Sequence, residues 1–198
     1  MMTLPLSDIV SIRTGFQFRG EAPYSPHGKY SLVHLKDSAD ALTFDEQEIH
    51  HFDISEIKKE DLLAKNDILL RSKGNNHFSV LVDREVSNTV VSGLSLVIRC
   101  KDSRVAPSYL AWYLNQPPAQ SFLTKISAGT SISVVNKGAL GDLAIPLRPV
   151  TSQEAIGELY QLQLRKECLT MQLLKSSRKL LNAKLLSIET NISTEAIR

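Results

Sequence analysis

The last quarter of the sequence predicts one long helix, and this feature limits most strongly what the chain can fold into. Pro146 and Pro149 favour an extended approach, and Thr151 with Glu154 has the T-x-x-E spacing of a helix capping box. Beyond Thr151 the sequence has no proline and a single glycine. We therefore expect a helix over about residues 151–188, roughly 37 residues and about 55 Å long.

The apolar residues of this helix fall on two adjacent seams, interrupted by Glu167 and Arg178. The first seam contains Tyr160, Leu164, Met171, Leu174, Leu181, Leu185 and Ile188. The second contains Leu159, Leu162, Leu169, Leu173 and Leu180. One interpretation is a coiled-coil-like spacer that binds partner helices, and the other is a long helix packed along its own domain.

The expected organisation is a mixed α/β globular domain over residues 1–148, followed by the helical region at 149–198. The chain has 198 residues, of which 42% are hydrophobic and 22% are charged, as in soluble globular proteins. No run is apolar enough to cross a membrane, and the start lacks the features of a signal peptide. Cys100 and Cys168 lack metal-ligand spacing, and we expect both side chains to be buried. Two isolated thiols suit a reducing compartment, and the cytoplasm is the expected location.

Charge is segregated within the globular region although its total is neutral. Residues 37–67 contain ten acidic and three basic side chains, whereas residues 71–137 contain eight basic and three acidic ones. The eight bases are Arg71, Lys73, Arg84, Arg99, Lys101, Arg104, Lys125 and Lys137. Local positive potential of this kind favours polyanion binding. Ordinary solvated surface charge remains the alternative.

Residues 62–83 predict a strand pair that presents a polar loop. Residues 68–70 form an apolar strand, 72–77 a loop around Gly74, and 78–82 a returning strand. The loop region holds side-chain types that bind base edges or phosphates, namely Arg71, Lys73, Asn75, Asn76 and His77. A plain solvent-exposed hairpin is the alternative interpretation.

The remaining segments alternate strands, helices and loops. A glycine-flanked first loop contains Gln17 and Arg19, and strands are expected near residues 30–35, 49–54 and 89–99. Helices are expected at 107–115 and, after a proline break, at 119–126, with Trp112 and Tyr113 in the core. The adjacent His50 and His51 would point to opposite faces of a strand, which argues against a shared metal.

The order of these segments resembles the target-recognition domain and conserved helix of type I restriction-modification specificity subunits. The matching stretches are LSDIVSIRTG, KNDILLRSKG, YLAWYLN, GTSISVVNKGALGDLAIPLRPV and SQEAIGELY. Together they span nearly the whole chain. The family usually has a proline at the position of Arg148, and a full specificity subunit has two recognition domains and two helices. This chain resembles one half of such a subunit.

The resemblance implies a non-catalytic, DNA-binding adaptor that dimerises through antiparallel helices. Phosphate contacts are expected from Arg71, Lys73, Lys125 and Lys137, and base contacts from Asn75, Asn76, His77 or the Thr130–Ser131 loop, with Gln17 and Arg19 as further candidates. The helix residues expected at partner interfaces are Leu164, Met171, Leu174, Leu181 and Leu185. The expected partners are double-stranded DNA, methyltransferase subunits and a restriction or translocase subunit. S-adenosylmethionine, ATP and magnesium are expected only in those partners.

Motifs for catalysis are incomplete in this sequence. The string Asn115-Gln116-Pro117-Pro118 departs from the N-P-P-aromatic motif of adenine methyltransferases, and Glu56 and Lys58 lack a suitably spaced carboxylate strand before them. No glycine lies in a Walker loop. The alternatives are a helical adaptor that binds methyltransferase subunits without contacting DNA, and an enzyme of an unrecognised type.

Overall fold

The structure is a computed structural model that describes residues 2–18, 20, 24–35, 49–54, 57–128 and 133–195. Its contacts divide the chain into two compact units, Met1–Gln161 and Leu162–Arg198. The first unit is a mixed α/β domain and the second is helical, which confirms the predicted fold class. The division falls inside the long helix, further along the chain than residue 148, because the first three turns of this helix contact the globular core.

Within the described residues, the first unit contains three sheets, two antiparallel and one mixed. Strand β1 (Met2–Pro5) pairs with β9 (Ala144–Leu147). A four-stranded antiparallel sheet has the order β2-β8-β5-β6, formed by Val10–Thr14, Ser95–Cys100, Ile68–Arg71 and Ser79–Leu81. A three-stranded sheet has the order β4-β3-β7, formed by Ile49–Phe52, Tyr30–Val33 and Thr89–Val91. Strands β3 and β7 are parallel.

Five α-helices complete the described fold. They are α1 (Leu6–Ile9), α2 (Pro107–Leu114), α3 (Pro117–Ser127), α4 (Lys137–Leu140) and α5 (Val150–Glu195). A short 3-10 turn spans Lys59–Asp61. Helix α3 includes the two prolines that were predicted to precede it. Proline is tolerated there because first-turn amides have no partner within the helix.

The two faces of the four-stranded sheet bury different cores. In β5 and β8, Ile68, Leu70, Leu96 and Ile98 pack with residues of α1 to α4 and β9. The alternate residues of the same two strands, Leu69 and Val97, pack on the opposite face with Val33 and Val91 of the three-stranded sheet. Because side chains alternate along each strand, the four-stranded sheet packs against the helices with one face and against the three-stranded sheet with the other.

An aromatic cluster forms the far side of the three-stranded sheet. Phe52 is 1% exposed and its ring contacts those of Phe16, Phe18 and Tyr30. The cluster anchors the first loop, which follows β2 and contains Phe16 and Phe18, against the sheet.

Helix α5 begins at Val150, one residue before the predicted cap. The carbonyl of Pro149 accepts hydrogen bonds from the amides of Ser152 and Gln153, at 2.9 and 3.1 Å. Thr151 therefore lies within the first turn and is not the capping residue. The helix extends to Glu195, beyond the predicted end at residue 188, and has 46 residues.

Several predictions about core residues are corrected by the structure. Trp112 and Tyr113 are half-buried against the main core, not within it. Cys100 and Cys168 are free and also half-buried, because one lies at the end of β8 and the other on α5. Burial, with help from Asp67 and Asp102, raises the pKa of the Cys100 thiol to about 11.

Candidate nucleic-acid interface

The polar loop between β5 and β6 is tied down by the chain on both sides. Strands β5 and β6 pair antiparallel, with Ile68 opposite Leu81 and Leu70 opposite Ser79, which confirms the predicted strand pair. The Arg71 amide donates to the Phe78 carbonyl at 3.0 Å and closes the base of the loop. Within it, Gly74 has a φ of 110°, a conformation that costs other residues steric strain.

Arg71 supports the loop from below. Its side chain is 7% exposed; Nε donates to the Lys73 carbonyl at 3.0 Å and Nη1 to the Leu35 carbonyl at 3.2 Å. A Cβ added to Gly74 would lie 3.0 Å from Arg71 Nη2, so the glycine lets the loop close over the guanidinium. The prediction that Arg71 contacts phosphate is not supported by this position. Its donors fix the loop backbone instead.

His77 links the loop to a second segment. It is 7% exposed, with Nδ1 3.1 Å from the Arg71 carbonyl and Nε2 2.9 Å from Ser133 Oγ. Burial, together with the charge of Arg71, lowers the pKa of His77 below its usual value. The neutral ring donates through Nδ1 to the carbonyl, and Nε2 then accepts from the Ser133 hydroxyl. These bonds give His77 a structural role, and the predicted base contact stays a prediction.

The second segment, residues 133–135, runs antiparallel to the loop. The Gly74 amide donates to the Ser133 carbonyl at 3.0 Å, and the Val135 amide donates to the Ser72 carbonyl at 2.8 Å. Between these bonds Lys73 forms a bridge with Val134. The structure therefore brings residue 133 next to the loop. The predicted contacts Thr130 and Ser131, immediately before it, lie outside the described residues, as does Arg19 of the first loop.

A tight turn at residues 92–95 joins the β5–β6 loop to the first loop. The Leu94 carbonyl accepts from the amides of Ser72 and Lys73 at 3.0 and 3.2 Å and from Ser72 Oγ at 3.0 Å. On the other side, the Gly15 amide donates to the Ser95 carbonyl at 2.8 Å. A Cβ on Gly93 would lie 2.6 Å from Cγ of Gln17, so this turn contacts the Gln17 side chain closely.

These four segments form one continuous surface, which we call the loop cluster: residues 15–17, 72–77, 92–94 and 133–135. Gln17, Asn75 and Asn76 are exposed there and Lys73 is half-buried. Amide side chains and an ammonium group at one surface can bond to base edges and phosphate oxygens. The cluster thus unites predicted residues from two distant parts of the sequence, the first loop and the β5–β6 loop.

The sequence interpretation missed the turn at residues 92–95. It treated residues 89–99 as continuous strand material, whereas the structure has β7 and β8 in different sheets with this turn between them. Gly93 was the available signal, because an isolated glycine in an apolar run often marks a bend or a close backbone approach.

Two further predicted lysines are exposed on short helices. Lys125 lies on α3, and Lys137 is the first residue of α4, which follows residue 135 of the loop cluster closely. Asn136 caps α4 by accepting from the Gly138 amide at 2.7 Å. Helices α3 and α4 contact each other.

Three other basic side chains of this region are paired with acids. Arg99 Nε and Nη2 bond to Asp67 at 2.6 and 2.7 Å, and Asp67 is only 1% exposed. The hydrogen bonds that Arg99 donates to the Asp67 carboxylate raise the pKa of Arg99. On the surface Arg104 pairs with Asp102 at 2.6 Å, and Arg84 with Asp83 at 3.5 Å. Pairing reduces the positive potential that the sequence count alone suggested.

The helical unit exposes many leucines. Of the predicted partner residues, Met171, Leu174, Leu181 and Leu185 are 39–57% exposed, whereas Leu164 is 6% exposed and adds nothing to this surface. Other exposed apolar residues of the unit are Leu162, Leu169, Leu173, Leu180, Leu186 and Ile188. Both predicted seams are thus present on the exposed helix.

The described residues contain neither a candidate metal site nor a candidate membrane span. No group of three or more His, Cys, Asp or Glu side chains there could hold a metal ion. No helix in the described part of the chain is long and apolar enough to span a membrane.

Comparison with solved structures shows which fold this is. The type I restriction-modification S subunit from M. genitalium aligns over 81% of this chain with a TM-score of 0.56 and 15% identity. The HsdS subunit from Thermoanaerobacter tengcongensis aligns over 85% with a TM-score of 0.55 and 16% identity. A chain from a structure describing complex assembly and conformational transition of the type I R-M system aligns over 84%, with a TM-score of 0.57 and 17% identity.

The predicted resemblance in fold is therefore confirmed. This chain spans 38–40% of the length of those three chains. The sequence matches no protein-family model, and the search of curated proteins gives no match.

Proposed function

We propose that this chain is a half-size specificity subunit of a type I restriction-modification system, which recognises duplex DNA and directs methyltransferase subunits to it. The observation that carries the proposal is the S-subunit fold over more than four fifths of the chain. The loop cluster supports it, because it gathers polar side chains from three distant loops at one surface. In this proposal the chain performs no chemistry.

The contacts to DNA divide into two kinds. Lys73, Lys125 and Lys137 hold phosphates, since each is at least partly exposed and carries a mobile ammonium group. Asn75, Asn76 and Gln17 contact base edges, for which amide side chains are suited. Arg71 and His77 shape the loop. Thr130, Ser131 and Arg19 remain candidates from the sequence.

Partners complete the assembly. Two copies pair antiparallel through one seam of exposed leucines on α5, and the other seam binds the methyltransferase. A two-fold dimer then recognises an inverted repeat with a spacer, a bipartite site. S-adenosylmethionine, ATP and magnesium belong to the methyltransferase and the restriction or translocase subunit. The proposed location is the cytoplasm, because two unpaired cysteines suit a reducing compartment.

DNA titrations test the recognition step. Lys73→Ala should weaken binding of all duplexes alike and lower the slope of log affinity against log salt by about one. Asn76→Ala should cost about 1–3 kcal/mol on the preferred duplex only. Lys65→Ala is the matched control, because Lys65 is exposed at the opposite end of β5. If Lys73→Ala and Asn76→Ala both bind like the parent and the control at every salt concentration, the loop cluster is removed from the proposal.

A second candidate is a helical adaptor that binds methyltransferase subunits without DNA recognition. The exposed leucines of the helical unit favour it, because they require only a protein partner. Co-purification with the methyltransferase, combined with no DNA binding by the assembled complex, would support this candidate. Methyl transfer or DNA cleavage by the chain alone would instead identify an enzyme.

A further inference from the structure

Two exposed apolar side chains flank Lys73 in the loop cluster. Leu94 is 47% exposed and Val134 is 37% exposed. Each is joined to Lys73 through the backbone, Leu94 by its carbonyl and Val134 by the bridge. An exposed apolar patch rimmed by polar residues often marks a contact with another molecule.

The backbone holds Leu94 rigidly. Its turn is closed by the Ser95 amide, which donates to the Ser92 carbonyl at 3.0 Å, and the Ser92 amide donates to the Val33 carbonyl at 3.0 Å. With the three bonds accepted by the Leu94 carbonyl, the turn is fixed to β3 and to the β5–β6 loop. Little conformational entropy remains to be lost from this backbone when Leu94 contacts a ligand.

Val134 is held in a similar way. The bonds between Gly74 and Ser133 and between Val135 and Ser72 enclose it on both sides, and its neighbour Ser133 is bonded to His77. The β-branched side chain has few rotamers. Two preorganised apolar groups thus lie beside Lys73, close in sequence to the exposed amides of Asn75 and Asn76.

This combination matches the major-groove edge of an A·T pair. Adenine offers N7 and the N6 amino group, to which an asparagine amide bonds bidentately, and thymine offers a C5 methyl group that apolar side chains contact. The neighbouring phosphates suit Lys73. The bidentate match between an asparagine amide and the adenine edge is the reason for taking duplex DNA as the occupant of this surface.

We propose that Leu94 and Val134 pack against the C5 methyl groups of thymines in the target duplex and thereby select A·T pairs at fixed positions. The proposal rests on the DNA recognition proposed above. The apolar pair is distinct from the amides, because it distinguishes thymine from uracil, which has the same hydrogen-bonding groups without the methyl.

The test compares a thymine duplex with its uracil counterpart. The full chain, with any methyltransferase subunit that co-purifies, selects its preferred duplex from a random-sequence pool. Affinity for that duplex is then measured with each thymine replaced in turn by uracil. At one or more positions the parent should bind about fourfold more weakly, the effect of losing one buried methyl-sized group.

Protein variants complete the test. Leu94→Ala or Val134→Ala should weaken binding of the thymine duplex by a similar factor and lose the preference for thymine at one position. Val150→Ala is the matched control, because Val150 is 37% exposed like Val134 and belongs to neither seam of α5, and this variant should keep the preference. Unfolding midpoints equal to that of the parent show that each variant is folded.

Other outcomes would overturn one proposal or the other. If the parent binds no duplex, DNA recognition itself fails. If it binds thymine and uracil duplexes equally, or selects a site without A·T pairs, the methyl contact fails and DNA recognition stands. If Leu94→Ala weakens thymine and uracil duplexes by the same factor, Leu94 is a wedge between base steps and not a methyl contact.

Discussion

Arg71 and His77 show that the type of a side chain does not determine its role. Both were predicted to contact DNA; Arg71 is the last residue of strand β5, and His77 ends the loop that follows it. The structure places them beneath the loop, where the Arg71 guanidinium and His77 Nδ1 donate to carbonyls and His77 Nε2 accepts from the Ser133 hydroxyl. Buried polar groups must be satisfied within the fold, so such residues are bound before any ligand arrives.

The buried imidazole of His77 should make stability depend on pH. Because burial lowers its pKa in the folded state, the unfolded chain binds the proton first as pH falls. The stability that depends on neutral His77 is present above about pH 6.5 and is lost as pH falls below that value. We expect the melting temperature of the parent to fall more between pH 7.5 and 5.5 than that of His77→Gln, which cannot titrate. Parallel curves for the two proteins would contradict this account.

The close approach of Gly15 to the turn at residues 92–95 leaves no space for a side chain. A Cβ there would lie 2.2 Å from the Ser92 carbonyl oxygen. Gly15→Ala should therefore destabilise the protein by about 2–3 kcal/mol, measured by urea unfolding. Gly138→Ala is the control, because its nearest atom would be a side-chain oxygen at 3.2 Å. Equal unfolding midpoints for the two variants would show that the first loop can shift away from the turn at residues 92–95 without loss of stability.

Among the elements, α5 was the one most visible in the sequence. A long run of helix-forming residues without proline is a local signal, so its existence was predicted and only its ends were displaced. The strand pair β5–β6 was predicted for a similar reason, since its two strands are adjacent in sequence. The pairing of β2 with β8 and of β1 with β9 was not predicted, because it joins residues nearly 90 and more than 140 positions apart.

Exposed leucines on α5 should control association of the chain. Leu174→Asp or Leu181→Asp places a charge on the predicted seam, and losing about 2 kcal/mol of apolar burial should weaken a dimer about 30-fold. Light scattering after size exclusion measures this change. Ser176→Asp, an exposed polar position on the same helix, should leave the mass unchanged.

The unfolding midpoint of the first unit is the second quantity to measure in the two leucine variants. Its unfolding midpoint should be unaffected by either leucine variant. Variants that fail to fold would favour the interpretation of a helix packed along its own domain. A parent chain that is monomeric at micromolar concentration would contradict the dimer itself.

At the scale of the whole molecule, Gln153 explains why the first unit extends into α5. Its side chain is fully buried, accepts from the Ala106 amide at 3.0 Å, and donates to the carbonyls of Arg104 and Arg148 at 2.8 Å each. Further along, Tyr160 Oη accepts from Asn115 Nδ2 at 3.2 Å. The start of the helix therefore completes the globular core.

Truncation tests this boundary. A chain ending at residue 161 should unfold at the same urea concentration as the first unit of the full chain. A chain ending at residue 148 loses the three bonds of Gln153, and we expect it to be less stable by about 3 kcal/mol. Equal stability of the two truncated chains would place the boundary before α5.

The loop cluster could be predicted from sequence only in part. Polar residues such as Asn75, Asn76 and Gln17 are recognisable as candidates, because their surroundings are rich in turn-forming residues. Their common surface depends on the backbone bonds of Leu94 and Ser133, which lie in other segments. Such long-range bonds have no local signal in a single sequence.

The pairing of β1 with β9 also limits when the sheets can be completed during synthesis of the chain. Ribosomes add about 5–20 residues per second, so β9 is synthesised on the order of ten seconds or more after β1. Helix α5 follows β9 directly, and every chain that displays the leucine seams already contains all strands of the sheets described here. Chains that terminate before Val150 lack α5, and the order of translation therefore excludes them from the association proposed for this helix.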